Sequence, residues 1–557
     1  MRPLVLRALP LLALIACDSP EQTDGARRDA TAADRDDARS VTDSAIDASP
    51  SPDVASADIV ATDSAPDAQD AGVESGPRYA IPLSTNVLVG VIGTGQSLSV
   101  GATSTPAVST RQPYQNVRLR DTGAPPLYDG VGDVLSLAPL IEPVRGDVAG
   151  GGQLYPNNVA GETPHSGMAN ELSYFARSRA GVEFATAHSV VGESGRPMTY
   201  IRRGGIGRAY AASMYEITAL TRLARSEGRR FEVGAIVLTH GESDAASATY
   251  ESDLRALIDA YRMDIAPITG QRAEVPLIVS QQGSFPGAPG RALSTQAQWR
   301  ASVDHAGLIL CSGPKYQMEY SADHVHLTAA GSRALGVKYA QVFAQTVFEG
   351  RRWRPLEPVD VRRNGAAIEV QFYVPSPPLA WESSIPAPHS TPATQTLWSA
   401  GRGFELEQNG AAVGIRSVEI RGDTVVITPA SPLTVGGFTV RYAMTQDVAG
   451  YAAGTAVGRA GQLRDSDPYV GFDRARVMAM VTAGSNTVRV VSGSLEGHGA
   501  RALVRAEGLG REGAVVTAAS AATLVLSTPW AGASGVATLE VQSDQRNYAV
   551  QFEWEVR

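Results

Sequence analysis

The chain has 557 residues and a formal net charge of −9. Its 43% apolar share is ordinary for globular proteins and ample for a core, and the length allows roughly two to four domains. Its two cysteines, Cys17 and Cys311, exclude a framework of internal disulfides if Cys17 is modified.

Met1 to Cys17 (MRPLVLRALPLLALIAC) places Arg2 and Arg7 ahead of a short apolar run, Ala8 to Ala16. The run is too short to span a bilayer and reads as a signal-peptide core. Leu14-Ile15-Ala16-Cys17 resembles the bacterial lipobox. The resemblance implies cleavage before Cys17, lipidation of that residue, and a membrane-anchored protein of the cell envelope. Residues 18–77 contain no Leu, Phe, Tyr or Trp. They hold 13 Asp and 2 Glu against 4 Arg. Such a segment buries too little apolar surface to offset its ordering entropy, so a disordered tether of roughly 40–50 Å is expected. This stretch carries −11 of the chain's −9, leaving +2 elsewhere. The folded part has no strong field, which argues against nucleic-acid binding.

From about 80 to 348, apolar strand-like runs alternate with helix-like ones. Asn86 to Ile92 (NVLVGVI) ends in Gly93-Thr94-Gly95-Gln96-Ser97. Val182 to Val191 precedes Gly192-Glu193-Ser194-Gly195, and Phe231 to Leu238 runs into Thr239-His240-Gly241-Glu242-Ser243-Asp244. Pro276 to Ser280 and Gly307 to Cys311 are further strands, and Ala209 to Gly228, Tyr250 to Ile265 and Ala329 to about Phe348 are helical. This rhythm predicts a parallel sheet covered on both faces. The glycine-rich motifs then share the C-terminal edge of the sheet, where ligands bind. Gln112 to Gly167, rich in Gly, Pro and Asn, breaks the rhythm and is read as a loop excursion over that edge. Cys311 reads as a core thiol.

A serine hydroxyl needs a base and an anion-stabilising pocket to act as a nucleophile. Ser321-Ala322-Asp323-His324-Val325-His326-Leu327-Thr328 offers an Asp and a His three positions apart. GTGQSLSVG, VVGESGRPM, LTHGESDA and SADHVHLTAAG together resemble the SGNH (GDSL-like) hydrolases, nearest to their sialate O-acetylesterase and carbohydrate-esterase branch. The resemblance spans about residues 86–345 and implies a flavodoxin-like three-layer α/β/α fold, metal-free ester hydrolysis without a cofactor, and an acetylated carbohydrate as substrate. It makes Ser97 the nucleophile, His326 the base and Asp323 the carboxylate that orients it. The Ser97 and Gly195 amides become oxyanion donors, and Gln96 and Glu242 substrate contacts. The third motif departs from the pattern. Ser243 stands where most members have Asn, and His240 where this branch has Gln, so His240 is the candidate side-chain donor to the oxyanion. Glu242 and Asp244 read more readily as loop supports than as chemical groups. His240, Glu242 and Asp244 lack the ligand spacing of a zinc site, and no calcium loop is evident.

After Arg354-Pro355 the runs shorten and alternate (AIEVQFY, IRSVEI, TVVI, FTVRY). They predict a β-sandwich over 349–468, closed by a strand within 545–557. Residues 469–544 form either a β-rich insertion or a separate domain. Whether these β regions bind sugar or only pack on the first domain stays open. The expected activity is carboxylic-ester hydrolysis, with two alternatives: a catalytically silent glycan-binding lipoprotein, or a lipid or aryl esterase. Nothing in the sequence bears on oligomeric state.

Overall fold

The run VLVGVI forms the centre of the sheet because it is apolar on both sides, and a strand points successive side chains to opposite faces. In β1 (Val87–Gly95), Val87, Val89 and Val91 enter one core cluster, and Leu88 and Ile92 enter the other. The computed structural model describes residues 81–120, 136–144, 161–284, 292–389, 396–445, 453–455 and 459–556. The expected signal peptide with Cys17, and the tether at 18–77, lie outside the described residues.

Among the described residues β1 joins β2 (Val117–Leu119), β3 (Leu137–Pro139), β4 (Thr186–Val190), β5 (Arg230–Thr239), β6 (Leu277–Gln281) and β7 (Ile309–Pro314). Their order is β3-β2-β4-β1-β5-β6-β7. All neighbours are parallel except β3, which runs antiparallel to β2 at the edge. The helices are α1 (Pro164–Phe175), α2 (Met198–Ile201), α3 (Ala209–Ser226), α4 (Tyr250–Thr269), α5 (Leu293–Asp304) and α6 (Ala329–Phe343). On one face, Leu172 of α1 and Leu335, Tyr339 and Phe343 of α6 cover Val89, Val91, Val237 and Ile278. On the other, Leu220 of α3 and Leu254, Ile258 and Tyr261 of α4 cover Leu88, Ile92, Ile236 and Val279. This is a three-layer α/β/α domain.

Gln112 to Gly167 is not wholly a loop. Its described parts supply β2, β3 and the start of α1; residues 121–135 and 145–160 lie outside the described residues. Helix α1 escapes the sequence pattern because Pro164 through Ser173 are all buried, so no polar face marks its period. Its start is marked locally: Pro164 follows Thr163, whose Oγ1 accepts from the His165 N–H.

Beyond the domain, β8 (Glu357–Asn364) and β9 (Ala367–Tyr373) pair with Thr424–Pro429 and Ile415–Arg421 in one antiparallel sheet. A second sheet orders Ala411–Ala412, Phe404–Gln408, Phe438–Tyr442 and Phe552–Val556. Aromatic contacts among Phe372, Phe404, Tyr442 and Phe552 fill the space between the two sheets. Residues 474–543 close into a six-stranded antiparallel barrel with its own core, including Val477, Val488, Leu524 and Leu539. The chain leaves the sandwich after Leu463–Arg464, forms the barrel, and returns as Phe552–Val556.

The described residues belong to one compact unit. The Gln281 amide exchanges two hydrogen bonds with the Gln551 backbone, and Lys338 Nζ donates to the Gln545 carbonyl and Asn547 Oδ1. Arg333 pairs with Asp473 at 2.9 Å, and the Tyr469 hydroxyl donates to Glu171 at 2.6 Å. No described helix is long and apolar enough to cross a membrane.

Candidate active site

Strand β1 ends at Gly95, with φ of +139°. A Cβ there would lie 2.1 Å from the Thr239 carbonyl oxygen, so only glycine allows β1 and β5 to approach this closely. The Gln96 N–H donates to that carbonyl. Residues Ser97–Val100 then make a single 3₁₀ turn, closed by Gly101 donating to the Ser97 carbonyl. Ser97 is its first residue, where an N–H has no partner within the helix.

The Asp323–His326 segment is a tight hairpin. A Tyr320–Leu327 bridge closes it, the Ser321 N–H donates to the His326 carbonyl, and His324 takes φ of +55° at the tip. Asp323 Oδ1 accepts from the Val325 and His326 N–H groups at 2.9 Å each and from the Ser321 hydroxyl at 2.7 Å. Asp323 Oδ2 lies 2.7 Å from His326 Nδ1, and His326 Nε2 lies 2.7 Å from Ser97 Oγ. The carboxylate can only accept, so Nδ1 carries the proton and the Nε2 lone pair faces the serine hydroxyl. Burial alone would raise the Asp323 pKa. The bonds from His326, Val325 and Ser321 outweigh it and hold the carboxyl well below the usual carboxylate range. His324, two positions before His326, makes no ring hydrogen bond to Asp323 or Ser97 among the described residues.

Thr328 fixes the hairpin to α6 by capping it: its Oγ1 accepts from the Gly331 N–H. Ser104 ties the hairpin to the nucleophile loop, its hydroxyl donating to the Leu327 carbonyl at 2.8 Å. Gly195 follows β4, the neighbour of β1, with φ of +69°, and is exposed. Among the described residues, the Ser97 and Gly195 N–H groups donate to no protein acceptor.

His240 corrects the sequence reading. It is fully buried: Nε2 lies 2.9 Å from the Arg196 carbonyl and Nδ1 2.8 Å from the Tyr250 hydroxyl. A carbonyl only accepts, so Nε2 carries the proton and Nδ1 accepts from Tyr250. Neither nitrogen is left to donate to an oxyanion. Burial lowers the His240 pKa, against the pull of Asp244. The ring therefore braces the backbone just after Gly195. Asp244 helps: its Oδ2 accepts from the Met198 N–H at the start of α2.

Glu242, expected to touch substrate, is buried, and its Oε1 takes Lys315 Nζ at 2.8 Å. Burial would raise its pKa, but the Lys315 charge and hydrogen bond bring it below the ordinary value. Gln96 links the first and third motifs: its Oε1 accepts from the Ser243 N–H, while its Nε2 donates to no described group. Lys315 and Ser104 escaped the sequence reading, since neither belongs to one of the four motifs; Ser321 opens the fourth, but its bond to Asp323 was not legible there. Cys311 is buried, and burial pushes its thiol up to about 12. No cluster of three or more His, Cys, Asp or Glu that could hold a metal occurs among the described residues.

Residues 181–345 match the family model "Carbohydrate esterase, sialic acid-specific acetylesterase". Among solved structures, XAC1771, a carbohydrate acetylesterase from Xanthomonas citri, is 14% identical with a TM-score of 0.43, covering 68% of this chain and 81% of its own. A protein from Arabidopsis thaliana is 18% identical at a TM-score of 0.34, covering 46% of this chain and 98% of its own. NanS is 11% identical at a TM-score of 0.31, covering 49% of this chain and 98% of its own. No curated protein matches the chain. Over residues 181–345 the chain matches the carbohydrate-esterase, sialic acid-specific acetylesterase family, and it is an esterase acting on carboxylic esters.

Proposed function

We propose that this esterase removes O-acetyl groups from a saccharide, using Ser97, His326 and Asp323 as its triad. One observation carries the reading: two consecutive 2.7 Å contacts run from Ser97 Oγ through the His326 ring to Asp323. Ser97 Oγ attacks the ester carbonyl while His326 Nε2 takes its proton. The oxyanion faces the Ser97 and Gly195 amides. His326 returns the proton to the departing sugar oxygen, leaving an acetyl group on Ser97. A water that gives its proton to His326 attacks that acetyl, and acetate leaves as Ser97 regains its hydrogen. Asp323 holds the ring in the required tautomer and stabilises the imidazolium formed in each half.

We also propose that lipid on Cys17 anchors the protein to the cell envelope, which the lipobox-like sequence supports. Several acyl chains on one residue would hold it firmly, where one holds only marginally.

Ser97→Ala tests the triad. Acetate release from acetylated polysaccharide and from p-nitrophenyl acetate is expected to fall to the uncatalysed level with the melting temperature preserved. Undiminished turnover would refute the nucleophile assignment. Cys17→Ala tests the anchor: the variant is expected in the soluble fraction, and continued membrane partition would end that proposal.

A further inference from the structure

A second concavity lies away from Ser97. It is set against β7, the edge strand, near Gly307 and Cys311 at the strand's N-terminal half. Ser97 follows the C-terminal end of β1, with β5 and β6 between. The concavity has a volume of about 240 Å³ and lies where α5 and β7 meet the sandwich. That is slightly below the roughly 300–1,000 Å³ of drug-sized ligand pockets, and suits about one sugar ring.

Its chemistry is specific. Trp299, Trp353 and Trp554 all line it. Two of them are fixed: Trp299 Nε1 donates to Glu357 Oε2 at 2.8 Å, and Trp353 Nε1 to the Cys311 carbonyl at 2.8 Å. Trp554 is half-buried, and its indole N–H donates to no described group. Three guanidiniums surround the rings. Arg354 is held by Glu357 at 2.7 Å and by the Tyr373 face at 4.2 Å. Arg300 reaches Asp304 only at 3.8 Å, with 42% of its side chain exposed. Arg352 is exposed and has no acidic partner among the described residues. Among the described residues Glu357 is the only carboxylate in the lining, and Trp299 and Arg354 already engage it. Positive charge is thus left over beside aromatic faces.

We propose that this concavity is a non-catalytic binding site for a carboxylate-bearing saccharide. A sugar's C–H face packs on an indole, as amphipathic aromatics favour, while Arg352 and Arg300 take its carboxylate, a pairing suited to the planar guanidinium. The site would hold a charged glycan while an acetyl group elsewhere on it reaches Ser97. The choice of a saccharide rests on the function proposed above; the existence of an anion-selective aromatic site does not.

The test uses the full chain carrying Ser97→Ala, so that binding is read without hydrolysis. Trigalacturonate, with galactotriose as its neutral counterpart, is titrated while tryptophan fluorescence and heat are followed. Saturable binding of the charged sugar is expected, weakened roughly tenfold by Trp554→Ala and by Arg352→Glu. Arg352→Glu alters an exposed side chain and serves as the variant certain to fold; a melting curve checks Trp554→Ala. Absence of binding, equal binding of the neutral sugar, or affinity unmoved by both substitutions would each overturn the proposal. Because the esterase reading is decided by turnover with Ser97 intact, either can fail without the other.

Discussion

Replacing Lys315 by Met leaves Glu242 as a buried carboxylate without its cation. The pair spans 2.8 Å, with the Lys315 side chain fully buried and that of Glu242 4% exposed. Removing one partner of such a pair costs about 3–5 kcal/mol, a large part of a typical 5–15 kcal/mol of stability. For an α/β/α domain of roughly 270 residues, at about 2.1 cal/mol/K of unfolding entropy per residue, that corresponds to a melting temperature lower by roughly 5–9 °C. The loss carries a pH signature. In the native protein Lys315 keeps the Glu242 pKa low, so its stabilisation is present above the unfolded value and fades on acidification. In the variant, burial acts unopposed and raises the pKa. The folded variant then holds a proton that the unfolded chain releases, and stability falls as pH rises above about 4.3. The deficit should therefore be larger at pH 8 than at pH 5. Replacing both residues, Glu242→Leu with Lys315→Met, should recover most of it, because well-packed apolar groups often substitute for a buried pair without loss. Calorimetry of the full chain at both pH values reads all three proteins. A Lys315→Met melt at the native temperature, or a deficit identical at the two pH values, would refute the reasoning.

Asp323→Asn keeps an oxygen for the Val325 and His326 amides but removes the charge facing His326 Nδ1; kcat should fall on the order of 10³–10⁴ with KM little changed, measured on p-nitrophenyl acetate. Gly95→Ala puts a methyl 2.1 Å from the Thr239 carbonyl at a φ of +139°, and should cost roughly 2–4 kcal/mol and disturb Ser97, so both the melting temperature and turnover should drop. Glu142 is buried, and that burial together with the charge of Glu162 raises its pKa to about 8, against bonds from Thr163, Val144 and Ser166. Its folded form holds the proton more tightly than the unfolded chain, so native stability should decline as pH climbs from about 4 to 8. Glu142→Gln should flatten that decline and melt higher than the native protein at pH 8; parallel melting curves would count against it.

The meeting of the first three motifs was legible because each follows a strand, and adjacent parallel strands bring their C-terminal ends to one edge. β4, β1 and β5 are such neighbours, so Gly195, Ser97 and His240 had to lie close together. What each side chain does there was not legible. His240 sits where a donor was expected, but the Arg196 carbonyl and Tyr250 hydroxyl that engage it come from turns and helices whose approach no local pattern encodes. Lys315 finds Glu242 across 73 residues for the same reason. Alternating strands announced β structure after residue 355, but period 2 is common to sandwiches and barrels. Closure of 474–543 on itself depends on the pairing of Arg474–Val481 with Gly535–Ser543, which alternation alone does not specify.

The return of Phe552–Val556 to the sandwich sets the order in which the protein can be completed. Until that strand is made, the edge at Phe438–Tyr442 is an open template for pairing with another chain. The end of β6 meanwhile lacks the Gln551 backbone that grips Gln281. A fragment stopping inside the barrel would retain Ser97, Asp323 and His326 yet be prone to aggregate. Shortened forms of the enzyme should therefore excise only the barrel, residues 474–543, and bridge the gap, rather than discard everything beyond it.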